Sequence, residues 1–163
     1  MSSTRSRAHD FFRETVEPTV EEFLADKRNI RRGRLASIVL SHMVDYWCED
    51  HNIHNKSGLK SIRDELKSET PIDDDYSFSQ AVWDACDASK HTVLTTKEHV
   101  LMKDAQNVKQ SMVGAYGTAS YCEAPYGMPI PSDVILTLDN GKCYSLSHAV
   151  SRVTDVWRQM LGQ

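Results

Sequence analysis

Apolar residues recur at helical spacing from the start of the chain. Phe11, Phe12, Val16, Val20, Phe23 and Leu24 make one stripe over residues 7–26, so this segment is expected to be helical. Pro18 should kink it or divide it into two short helices. Asn29 can cap a second helix running to about residue 51, in which Leu35, Val39, His42, Met43, Tyr46 and Ile53 fall near one face. Ile38, Leu40, Val44 and Trp47 make the remaining surface of that helix apolar as well, and a helix apolar nearly all round belongs at the centre of a bundle. Residues 51–58 form a polar connection. Residues 59–67 then read as a short helix with Leu59, Ile62 and Leu66 inward.

Pro71 and the acidic run Asp73, Asp74 and Asp75 precede another helix, expected over residues 76–94, for which the run supplies a cap and favourable charge. Its apolar positions are Phe78, Val82, Ala85, Cys86 and Val93. Periodicity fades over 95–131, where glycines and prolines mark turns; residues 108–116 can hold a strand. Residues 134–138 and 142–145 flank Asp139, Asn140 and Gly141 and read as a hairpin, because Asn-Gly takes the positive φ that a tight turn needs. The last helix carries Leu146, Val150, Val153, Trp157 and Leu161 on one face, with Ser145 or Ser147 as its cap. The expected fold is mainly α, a single-domain helical bundle over 1–163. A small antiparallel β arm, the hairpin near 134–145, is inserted before the C-terminal helix.

Composition narrows the class. The chain has 163 residues, 40% hydrophobic, and a net charge of -4. Its mean hydropathy of -0.49 and pI near 5.9 argue against a membrane span and against a protein that coats nucleic acid, while leaving room for a local basic patch. Residues 1–10 are too polar for a secretory signal, so a cytoplasmic location is expected. Cys48, Cys86, Cys122 and Cys143 lie far apart without a C-x-x-C pair, which reads as reduced, mostly buried thiols.

Several polar groups are candidates for chemistry. Gln80, Asp84, Asp87 and His91 share a narrow arc of the helix expected over 76–94, with Lys90 beside them. They form either a solvated face or an acid and imidazole stripe able to relay a proton or hold a metal. His42 and Asp45 are expected to be buried polar groups, His42 between Val39 and Tyr46 with Asp45 or Glu49 in reach, so that His42→Ala would cost about 1–3 kcal/mol. The Glu-x-x-His pairs of dinuclear bundle sites are missing, and His51, His54 and His99 have no cysteine at ligand spacing, so neither a metal nor a cofactor is expected. Arg28, Arg31, Arg32 and Arg34, with Lys27, crowd the start of the long helix. They either contact an anion or RNA backbone or exchange charge with Asp64, Glu65 and Asp73 to Asp75. The tract 114–131, with Tyr116, Tyr121 and Tyr126, is a candidate contact surface.

The Phe11-Phe12 helix, the run Arg34-Leu-Ala, the run Asp45-Tyr-Trp47, and the segment from Trp83 to Lys90-His91 together resemble a group of small uncharacterised bacterial helical proteins. Those proteins carry a similar Asp-x5-Lys-His segment. The chain is also loosely similar to the HEPN superfamily of helical bundles, several of which are metal-independent ribonucleases in defence and toxin systems. That likeness implies an Arg and a His separated by four to six residues; the nearest pair here, Arg34 and His42, has seven between them. Two functions follow as expectations. The first is a non-catalytic helical interaction module with a protein partner or itself as a homodimer. The alternative is a ribonuclease using His91 as acid or base, with Lys90 or the arginine cluster holding phosphates.

Overall fold

The computed structural model describes residues 6–91, 93, 102–110 and 133–163, and within them the fold is a mainly helical bundle with a three-stranded antiparallel sheet before its last helix. The first stripe forms α1 (Arg7–Phe11), a π-helical turn (Phe12–Val16) and α2 (Glu17–Ala25) in continuous succession. Pro18 sits in the first turn of α2. Lacking an N–H, it is accommodated where the ladder has shifted register, with the Glu17 amide donating to the Phe12 carbonyl five residues back. Asp50, the last residue of α3 (Ile30–Asp50), reaches back to the start of α1 and accepts from the Ser6 hydroxyl at 2.7 Å and the Ala8 amide at 2.8 Å. It thereby satisfies donors that a helix start leaves unpaired.

Asn29 caps α3 as the sequence predicts, but the helix is turned differently from the expectation. Its buried face is Gly33, Ala36, Ser37, Leu40, Met43, Val44 and Cys48, whereas Leu35 and Tyr46 are 41% and 36% exposed. Close approach decides the matter. A Cβ on Gly33 would lie 3.0 Å from the Leu146 side chain and 3.1 Å from the Phe23 ring, so the small residues mark where neighbouring helices press in.

As expected, α3 is central and packs against every other α-helix of the bundle, while α5 (Phe78–Ala88), which packs against α3, α4 (Lys56–Glu69), α6 (Leu146–Met160) and the 3-10 turn Ala105–Asn107, is the most fully buried of them. Every α5 residue except Phe78 and Asp87 is buried. Its cap is Ser77, not the aspartate run, and it stops at the Ser89 cap, short of the expected residue 94; Val93, expected inward, is 61% exposed. Between α4 and α5, the Thr70 hydroxyl meets the Ser79 hydroxyl at 2.7 Å and donates to the Leu66 carbonyl.

The sheet has the order β1 (Val108–Gln110), β2 (Val134–Thr137), β3 (Cys143–Ser145). The remainder of the strand expected over 108–116 lies outside the described residues. In the hairpin turn only Gly141 adopts positive φ, at +82°, and its amide donates to the Leu138 carbonyl. The turn is therefore a β-turn followed by a left-handed glycine, and Asn140 is not left-handed. Ser145 caps α6 through the His148 amide, and the buried Asp133 carboxylate accepts from the Ser145 and Ser147 hydroxyls, joining the sheet to the helix start.

Asp73 clasps the hairpin to the segment before α5, accepting from Lys142 Nζ at 2.7 Å and the Tyr144 hydroxyl at 2.9 Å. The Lys142 ammonium and then the Tyr144 hydroxyl lower the Asp73 carboxyl from its usual 3.8 to about 2. A carboxyl depressed in the folded state stabilises above its unfolded pKa, and that stabilisation is lost as pH falls through the folded one. Asp73→Asn is therefore expected to flatten the fall of the urea midpoint between about pH 4 and pH 2. An unchanged pH dependence in the variant would contradict the clasp.

Candidate functional site

The rotation of α5 separates the residues that helical phase placed on one stripe. Asp84 is 1% exposed and Gln80 is 8% exposed, Asp87 is half-buried, and Lys90 and His91 are exposed beyond the end of the helix. The stripe is thus neither one solvated face nor one cluster. Asp84 lies in the interior, where its carboxylate accepts from the Tyr76 hydroxyl at 2.7 Å and from Gln80 Nε2 at 2.9 Å. Burial, and then the neighbouring Asp84 carboxylate, hold the Tyr76 phenol far above its usual range, so the donor stays protonated. Tyr76 in turn stacks on Tyr144 of the hairpin, with ring centroids 5.3 Å apart.

Outside this buried group lies a cleft of about 280 Å³ between α3, α4 and α5. Ser41, His42 and Asp45 line it from α3, Lys60, Arg63, Asp64 and Lys67 from α4, and Gln80, Trp83 and Asp87 from α5, with Lys90 just beyond. Four of the residues predicted to carry chemistry, His42, Asp45, Asp87 and Lys90, therefore meet at one place. His91 is not among the lining residues.

His42 and Asp45 require a correction. Both were expected to be buried, and both are exposed, because the buried face of α3 follows its small residues and turns these two outward to the cleft. Among the described residues the His42 imidazole has no hydrogen bond or ion pair.

The cations come mainly from α4. Lys60, Arg63 and Lys67 recur at three and four residues, which puts them on one helix face. Arg63 and Lys67 both lie over the Trp83 ring, 5.5 and 5.6 Å from its centre, so the aromatic face holds two long side chains with their charged ends at the cleft. Lys90 approaches Asp87 at 3.8 Å. This α4 face was missed in the sequence, although its spacing was there to read.

The arginines at the start of α3 do not converge on one point. Arg28 and Arg31 are exposed; Arg32 and Arg34 are half-buried. Arg32 donates to the Glu22 carbonyl and lies 3.7 Å from Asp26, so its charge meets the carboxyl end of α2 and not the acidic segments proposed for it. Cys48, Cys86 and Cys143 are free thiols, the first two buried; Cys122, His99 and the tract 114–131 lie outside the described residues. Among the described residues no three His, Cys, Asp or Glu side chains are placed to hold a metal, and no helix is long and apolar enough to cross a membrane.

No family model matches the chain, and comparison with curated proteins and with solved structures finds no match either.

Tyr76→Phe removes a donor from a buried carboxylate and is expected to lower stability by about 1–3 kcal/mol. His42→Ala and His91→Ala, at exposed positions, are each expected to change it by less than about 0.5 kcal/mol. Denaturant melts of the three variants check the ranking, and a His42 variant as damaging as the Tyr76 one would place the imidazole back in the core.

Proposed function

We propose that the protein is a non-catalytic helical interaction module of the cytoplasm, working as a homodimer, and that the cleft between α3, α4 and α5 grips an acidic segment of a partner protein. The observation that carries this reading is the pair of cations over Trp83. Arg63 and Lys67 both lie over the Trp83 ring, and with Lys60 and Lys90 they make four positive groups lining a cleft that also carries Asp45, Asp64 and Asp87. Long cations resting on an aromatic ring lose less freedom on binding than freely moving ones. The three carboxylates favour a partner of mixed charge over a uniform polyanion such as RNA.

His42 supports a second reading. An imidazole beside Lys60, Arg63 and Lys90 is the right chemistry for metal-independent RNA cleavage, with the cations holding the phosphate, and in that reading His42 takes the role first given to His91.

A single pair of titrations tests both. A fluorescently labelled peptide rich in glutamate, and labelled single-stranded RNA in chelator, are each titrated with wild type, with Arg63→Ala/Lys67→Ala and with His42→Ala. The expected result is salt-sensitive peptide binding that falls at least about 10-fold in the double variant and is little changed by His42→Ala. Peptide binding unaffected by the double variant would contradict the module. RNA cleavage by wild type that is lost in His42→Ala would replace it with the ribonuclease.

A further inference from the structure

The outer face of α3 has the chemistry of an interface. Leu35, Val39, His42 and Tyr46 recur at four, three and four residues and therefore lie along one line of the helix. Leu35 and Tyr46 are exposed and Val39 and Ile38 half-exposed, so the line is an apolar ridge on a helix of 21 residues. Phe11 widens it, since its ring stacks on Tyr46 with centroids 4.0 Å apart and planes 6° from parallel. Long helices usually turn charged side chains to water in this position, and an apolar ridge broken only by the His42 imidazole marks a contact.

Charge is divided between the two ends of the same face. Arg28 and Arg31 are exposed at its start, and Asp45 and Glu49 are exposed at its end, where Glu49 also accepts from Arg7 of its own chain at 3.1 Å, a contact that the partner's Arg31 would share or displace. Arg31 and Glu49 stand nearly equidistant from the middle of the ridge, nine residues either side of Leu40, and Leu35 and Tyr46 straddle nearly the same point. By helical phase Arg31 and Glu49 also lie on the same flank of the ridge.

We infer that a second copy of this chain docks on this face, with the two α3 helices antiparallel about a two-fold axis near Val39 to His42. This rests on the homodimer proposed above and supplies its surface. In this arrangement Leu35 of each copy meets Tyr46 of the other, and Arg31 of each copy meets Glu49 of the other. A parallel arrangement would instead bring arginine to arginine and glutamate to glutamate, which repel. A closed isologous contact also covers both ridges at once and leaves none to propagate into a chain of molecules.

The test is sedimentation of the full chain between about 1 and 100 µM, with a charge-swap cycle. Wild type is expected to approach twice the 18.5 kDa monomer mass at the top of this range. Arg31→Glu and Glu49→Arg are each expected to weaken the dimer about 5- to 10-fold, and the double variant to return to within about 3-fold of wild type. Leu35→Asp, at an exposed position, is expected to give a folded monomer by circular dichroism. A wild type that stays monomeric throughout, as it would if the chain's own residues covered the ridge, overturns the inference. So does a dimer indifferent to Leu35→Asp, or one not restored by the double swap. Because His42 lines the cleft and also lies on the dimer face, peptide binding is read on the Leu35→Asp monomer: binding there leaves the cleft reading standing, and its absence removes the cleft reading alone.

Discussion

A helix enclosed on every side can carry a carboxylate only if the protein itself supplies the donors that water would have supplied. Asp84 on α5 is such a group, and the Tyr76 hydroxyl and the Gln80 amide are its donors. The Gln80 bond lies within α5 and turns with it, but the Tyr76 bond comes from outside the helix and opposes its rotation, because turning Asp84 away would leave the buried phenol without its acceptor. With Asp84 inward, Gln80, Trp83 and Asp87 follow along the side facing α3 and α4. The bond between Tyr76 and Asp84, which does not line the cleft, thus helps to set what does.

The other walls depend on the same helix. The Thr70, Ser79 and Leu66 bonds hold the end of α4 to the start of α5, which brings Arg63 and Lys67 over Trp83. Tyr76 reaches the hairpin through Tyr144, and Asp73 adds an ionic clasp to the same hairpin. Packing of the sheet is thereby coupled to the position of α5, and the inserted β arm braces the helix that floors the cleft.

Much of this was legible in the sequence, and the misreadings have definite physical causes. Stripes with one apolar face were read correctly: α6 buries Leu146, Val150, Val153 and Trp157 as its spacing requires, and the Asn140-Gly141 signal located the hairpin. On α3 the apolar residues run nearly all round, so periodicity alone did not select a face. The informative positions were the small ones, Gly33, Ala36 and Ser37, which show where neighbouring helices come close. On α5 the short run of alanines and polar residues gave little sign that Asp84 would be interior, since nothing local indicates that Tyr76 folds back to meet it. The convergence of His42, Asp45, Asp87 and Lys90 was visible only as separate candidates on two helices, and the α4 cations have the spacing of any solvated helix face until Trp83 of α5 is placed beneath them.

The enclosure of α5 is the claim on which the cleft rests. Native-state hydrogen exchange across low denaturant tests it directly. The account predicts that the amides of residues 82–86 exchange only through global unfolding, with the same free energy as the core of α6, and that Tyr76→Phe lowers both together. Exchange of residues 82–86 through a separate, lower-energy opening while α3 and α6 stay protected would contradict it, because a helix enclosed by its neighbours cannot open alone.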